Sequence, residues 1–186
     1  MTYILAGSAF VLSFVAQIWV AADPVIHVLV QFPLLAAAGY FLVAGKGHRT
    51  IWTGPLLVLA ITSILFWMLP RTLDAILAEW SMFIAKFTLL PLTVGVPLAL
   101  CWRHLSPLIR GFIKAETISM LGVLGFLYTH APVRICNSYL LDDQVRLGYG
   151  FFGIAAGLSL FWIIPVFTGE REDTGNGPLS RSLKIS

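Results

Sequence analysis

The chain has 186 residues, of which 58% are hydrophobic and only 11% charged, with a mean hydropathy of +0.87 and a formal net charge of +3. Soluble domains carry roughly 25% charged residues, so the composition excludes a soluble fold. The few cations are scattered over several turns, which excludes a nucleic-acid-binding patch.

A membrane-spanning helix needs about 20 mostly apolar residues, and six runs meet that requirement: Tyr3 to Ala22, Val25 to Ala44, Ile51 to Leu69, Met82 to Trp102, Phe112 to His130 and Leu147 to Thr168. The first run follows MTYILAGSAF, which has no basic n-region, and no A-x-A-like site closes it, so it reads as a retained helix and not as a cleaved signal. Backbone polar groups cannot stay unpaired in lipid. The expected fold is therefore all-α, a polytopic membrane helical bundle of about six transmembrane helices over residues 1–168, followed by a polar C-terminal tail at 169–186.

Orientation follows from the distribution of Lys and Arg. Six spans leave both termini on one side, and that side receives eight cations: Lys46, Arg49, Arg103, Arg110, Lys114, Arg171, Arg181 and Lys184. The other side receives four, Arg71, Lys86, Arg134 and Arg146, and most of the acids. Both termini are thus expected to be cytoplasmic, in a bacterial-type inner membrane. The last run carries Gly153 and Gly157 in a G-x-x-x-G spacing, which reads most simply as internal helix packing.

Sorted by depth, the polar side chains gather at the outer surface. His27 opens the second run, Met68 closes the third, Met82 and Lys86 open the fourth, His130 closes the fifth, and Cys136 lies in the last outer turn. Imidazole, thioether and thiolate suit Cu(I), so His27, Met68, Met82 and His130 form a candidate copper-binding set. The competing readings are methionine as core filler and histidine bonded to a neighbouring helix. His27 and His130 also have the depth for an axial haem pair, a third reading alongside a quinone site. Lys86 lies about one turn inside the fourth run. An unpaired charge there is expensive, so a salt bridge is expected to Asp74, Glu79, Asp142 or Asp143. Cys101 and Cys136 are 35 positions apart and form no zinc or redox motif. No nucleotide loop, G-x-S-x-G or H-E-x-x-H is present, so no catalytic role is expected.

Three ordered stretches resemble the CtaG family, the caa3-type cytochrome c oxidase assembly factors. HVLVQFPLLAAAG from His27 is similar to that family's H-M-L-Q-H…P-L-L…G, and WMLPRTLDAIL from Trp67 is similar to W-H-x-P-x-x-Y-D-A-A-L. LDDQVRLGYG from Leu141, followed by Phe161-Trp162, is similar to D-Q-x-x-G-G…M-W. The resemblance implies a polytopic protein that serves copper delivery to an oxidase, with other membrane subunits as partners. It puts His27 on the first histidine of the first motif, Asp74 on the acidic position of the second, and Asp143 and Gln144 on the D-Q pair. It also implies departures. The second histidine falls on Gln31 or Phe32, the histidine of W-H-x-P on Met68, and an i, i+4 histidine pair near Met82 and Lys86. With those ligands exchanged, the resemblance implies either an altered copper site or a shortened member in which the protonated Lys86 takes the place of the metal's charge, making the chain a structural subunit.

Overall fold

The computed structural model describes residues 2–20, 23–44, 52–131 and 139–168, with side chains as far as 164. Among these residues there are helices and turns and no strand. Seven helices follow in order: α1 (Thr2–Val20), α2 (Ile26–Val43), α3 (Thr53–Trp67), α4 (Pro70–Ala78), α5 (Trp80–His104), α6 (Pro107–His130) and α7 (Leu141–Thr168). Five of them, α1, α2, α5, α6 and α7, are long and apolar enough to cross a membrane. A sixth crossing exists if α3 and α4 count as one bent span. The all-α membrane bundle holds. The tail at 169–186, the basic turn at 45–51 and Cys136 lie outside the described residues.

The third run differs most from expectation. α3 has only 15 residues, and the chain then turns by 68° into α4, a stretch expected as a loop. Leu69 is extended and Pro70 takes the first helical position, where its missing N–H costs nothing. α4 buries Thr72, Leu73 and Ile76 and leaves Arg71 exposed, so it lies across one end of the bundle as an amphipathic cap. The other shifts are at helix starts. α6 begins at Pro107, five residues early, because the Ser106 hydroxyl accepts from the Ile109 N–H at 3.3 Å. α7 begins at Leu141 with Asp142 and Asp143 in its first turn, where the helix dipole favours carboxylates.

Two spans carry a π-helical segment, Ile26–Gln31 in α2 and Pro91–Gly95 in α5. Each ends two residues before a proline, Pro33 or Pro97. A proline removes the donor for the carbonyl four residues back, and the ladder takes up the slack by widening to π spacing. The two distorted spans then pack backbone to backbone. A Cβ on Gly39 would overlap the Pro91 carbonyl, and one on Gly95 would overlap the Ala36 carbonyl. Small residues are what allow such an approach between membrane helices.

The core cluster lies where α2 and α5 meet, and includes Leu35, Trp67, Leu73, Ile76, Leu90 and Val94. α6 and α7 pack closely on each other, with Gly125 and Gly148 at their contact. This hairpin reaches the core through Tyr128, Leu147 and Phe151. Gly153 and Gly157 differ from the expected internal packing: both are exposed, and a Cβ on either would meet nothing within 4 Å.

Candidate functional site: a buried lysine held by two glutamines

Alternation of the helices brings the end of α1, the start of α2, α4, the start of α5 and the start of α7 to one end of the bundle, here called the Asp23 end. Lys86 lies on α5, six residues past Trp80, or about 9 Å into the span at 1.5 Å per residue. Its side chain is 0% exposed. The amine donates to Gln31 Oε1 on α2 at 2.7 Å and to Gln17 Oε1 on α1 at 3.0 Å. Gln31 is itself fixed, since its Nε2 donates to Gln17 Oε1 at 2.8 Å and to the Ser13 carbonyl at 3.0 Å. The Phe87 and Phe83 rings complete the enclosure, their centroids 5.1 and 5.7 Å from the Lys86 nitrogen. Phe10 and Phe14 of α1 stand edge-on to Phe87, at 5.9 Å each.

The expected salt bridge is thus corrected: among the described residues Lys86 meets two amide oxygens and no carboxylate. Of the four acids, Glu79 is exposed and accepts from the Ser81 hydroxyl at 3.4 Å, and Asp142 is exposed. Asp143 lies 3.9 Å from Arg146, and Asp74 is half-buried on α4. The physical reason is desolvation. Taking a carboxylate to the depth of Lys86 strips a second charge of water, whereas a glutamine offers its oxygen at the much lower cost of a neutral amide.

His27 occupies the same end and is also 0% exposed. The Tyr139 hydroxyl donates to the Val20 carbonyl at 2.7 Å and stands 2.9 Å from His27 Nδ1. With the phenolic proton spent on Val20, the ring must donate from Nδ1, which leaves the lone pair on Nε2. That nitrogen is buried without a hydrogen-bond partner among the described residues, as is the Ser13 hydroxyl. The Phe32 ring packs edge-on to the imidazole at 5.2 Å, and Lys86 lies within electrostatic range. Nearer the surface, Asp23 uses one oxygen to accept from the Val25 N–H at 2.9 Å and the other to accept from Arg146 at 3.0 Å. This pair ties α7 to the α1–α2 turn. With Arg146 62% exposed, it adds little stability.

The remaining members of the candidate copper set are dispersed in character. Met68 and Met82 are half-buried and pack against the core cluster. His130 is exposed, its Nδ1 within 2.8 Å of the Thr129 hydroxyl and 3.2 Å of the Phe126 carbonyl, and its ring stacks on Phe126 at 4.4 Å. One histidine is sealed and the other lies on the surface. No three His, Cys, Asp or Glu side chains come together among the described residues. Cys101 is buried at the far end of α5, 3.7 Å from the Leu98 carbonyl. Away from the site, a groove of about 300 Å³ between α3 and α5 is lined by Thr62, Phe66, Trp67, Leu89 and Thr93 and contains no charged side chain.

Gln17, Ser13 and Tyr139 were not expected in the site. Gln17 had a legible signal, since an amide inside an apolar run is expensive and usually faces a partner. Ser13 contributes a backbone carbonyl and Tyr139 comes from a polar turn, so neither carried one. Comparison with known proteins finds no match: no family profile, no curated protein and no solved structure aligns significantly with the chain.

Proposed function

We propose that the chain is a CtaG-like membrane protein that serves as an accessory or assembly component of a respiratory or copper-enzyme complex and catalyses no reaction itself. The observation that supports this reading is the 2.7 Å bond between Lys86 and Gln31. The resemblance puts one histidine of the family's presumed metal site on Gln31 or Phe32 and a histidine pair near Met82 and Lys86, and here Lys86 and Gln31 are an amine and the amide that binds it. A protonated amine repels a metal cation and fills the oxygens that would face it. The reading is therefore a family site rim in which an internal cation stands in for the metal, with neighbouring membrane subunits and lipid as partners.

A second reading, an outward-facing copper site at His27, Met68, Met82 and His130, draws support from the unpartnered His27 Nε2, since a histidine that donates from its other nitrogen is the usual state of a metal ligand. Metal analysis of the purified protein separates the two. The expected result is no stoichiometric copper. Copper near one per chain that disappears in His27→Ala would establish the second reading. In parallel, affinity purification from native membranes is expected to retain oxidase or copper-enzyme subunits, and a chain that purifies alone under mild detergent is not an accessory subunit. A Soret band in the same preparation would point to haem instead.

The eight-to-four distribution of Lys and Arg supports cytoplasmic termini in a bacterial-type inner membrane. A reporter fused after Ser186 is expected to be active only in its cytoplasmic form, and periplasmic activity would reverse the orientation.

A further inference from the structure

We propose that the bundle contains an ammonium-binding cage, a site for a primary alkylammonium ion that exists independently of the lysine now filling it. It goes beyond the membrane-component reading and does not rest on it.

The cage is built from groups that recognise this chemistry. Two amide oxygens, Gln31 Oε1 and Gln17 Oε1, receive N–H donors at 2.7 and 3.0 Å. The direction of the Gln31 oxygen is set beforehand, because Gln31 spends its amide N–H groups on Gln17 Oε1 and on the Ser13 carbonyl. Turning that amide over would aim an N–H at the ammonium and forfeit both bonds. The faces of Phe87 and Phe83 attract the remaining positive charge. Gln31 is 0% exposed and Phe87 9%, so these two work without competing water, while Gln17 and Phe83 are half-buried.

The composition of the cage also sets its selectivity. Among the described residues it has no carboxylate in its contacts, so it offers no charge balance to a divalent ion. Two oxygens fall well short of the shell that a hard metal cation requires. A quaternary ammonium could lie against the rings but has no N–H for the amide oxygens. The ligand that uses every part is a primary ammonium on a short apolar stem, which is the end of a lysine side chain.

Lys86→Ala removes that end and leaves room for n-propylammonium, which carries the same three carbons and nitrogen. The full chain, reconstituted in lipid nanodiscs, is followed by thermal unfolding with n-propylammonium chloride, tetramethylammonium chloride or 1-propanol at tens of millimolar. The expected result is a lowered Tm for Lys86→Ala, with about half of the loss recovered with n-propylammonium by preferential binding to the folded state. The other two additives leave the variant unchanged, and none of the three moves the wild type. Equal recovery with 1-propanol would mean that only volume is read, and no recovery would mean that no cage exists; either result overturns the proposal. Lys86→Met keeps the proposal testable if the alanine variant does not accumulate, since it retains the volume and removes the donors. Its Tm is expected to lie below the wild type and to ignore n-propylammonium, and a Tm equal to or above the wild type would also overturn the proposal. Metal content plays no part in these outcomes, so failure here and failure of the membrane-component reading are distinguishable.

Discussion

Gln31→Leu is expected to destabilise the bundle by about 2–3 kcal/mol, more than loss of a neutral hydrogen bond would. A neutral interhelical bond in a membrane protein is worth about 0.6 kcal/mol on average, because the unfolded chain in the bilayer finds other partners. Lys86 is different in two respects. Its amine is the donor in a charge-assisted bond, and at 0% exposure it has no water to fall back on. Removing its 2.7 Å acceptor leaves a buried cation with one amide oxygen, and stranding one member of a buried polar pair is the costly case. Lys86→Met alone should cost about 1–2 kcal/mol, since it strands the Gln31 oxygen and no charge, while Gln17 Oε1 keeps its bond from Gln31 Nε2. The double variant Gln31→Leu/Lys86→Met should cost about 1 kcal/mol, because an apolar pair of similar volume needs neither partner. The single costs add to about 3–5 kcal/mol, so the cycle carries a coupling of about 2 kcal/mol or more. Denaturant unfolding of the three variants in one detergent measures it. Additivity within about 0.5 kcal/mol would show that the two residues do not act as a unit.

The cost of a charge in hydrocarbon made Lys86 legible as a residue in need of a partner, yet it did not identify the partner. The acids nearest in sequence, Asp74 and Glu79, lie on the segment just before α5 and stay near the surface. The actual acceptors come from α1 and α2, 69 and 55 positions away. Hydropathy reports how deep a residue lies, whereas cross-helix contact depends on the rotation of each helix about its axis, and in α2 that rotation is altered by the π-helical turn containing His27 and Gln31. The spans themselves were legible because apolar length is a direct consequence of bilayer thickness. Their ends were less so. Pro70 reads equally as a turn residue or a first helical residue, and only the amphipathic pattern of Thr72, Leu73 and Ile76 distinguishes a surface helix from a loop. The copper set shared a depth, and depth alone does not separate the sealed His27 from the exposed His130.

Glycine substitutions test the packing that carries this site. Gly39→Val should prevent accumulation of folded protein, and Gly39→Ala should cost about 3 kcal/mol, the upper part of the usual range for overpacking. The reason is that the obstacle is backbone: the new Cβ would overlap the Pro91 carbonyl, and a carbonyl within a helix cannot rotate away as a side chain does. Gly95→Ala meets the Ala36 carbonyl and the Tyr40 N–H from the opposite side of the same contact and should cost a similar amount. Both substitutions would force α2 away from α5, and with it the Gln31 amide from Lys86. The loss should therefore include part of the coupling measured in the Gln31/Lys86 cycle. Gly153→Ala and Gly157→Ala are the matched controls, since both positions are open and alanine is the better helix former. They should change stability by no more than about 0.5 kcal/mol. Thermal unfolding of the four alanine variants, with expression yield for Gly39→Val, checks the contrast. A silent Gly39→Ala would mean that α2 and α5 do not approach at Pro91, and the register that joins Gln31 to Lys86 would lose its basis.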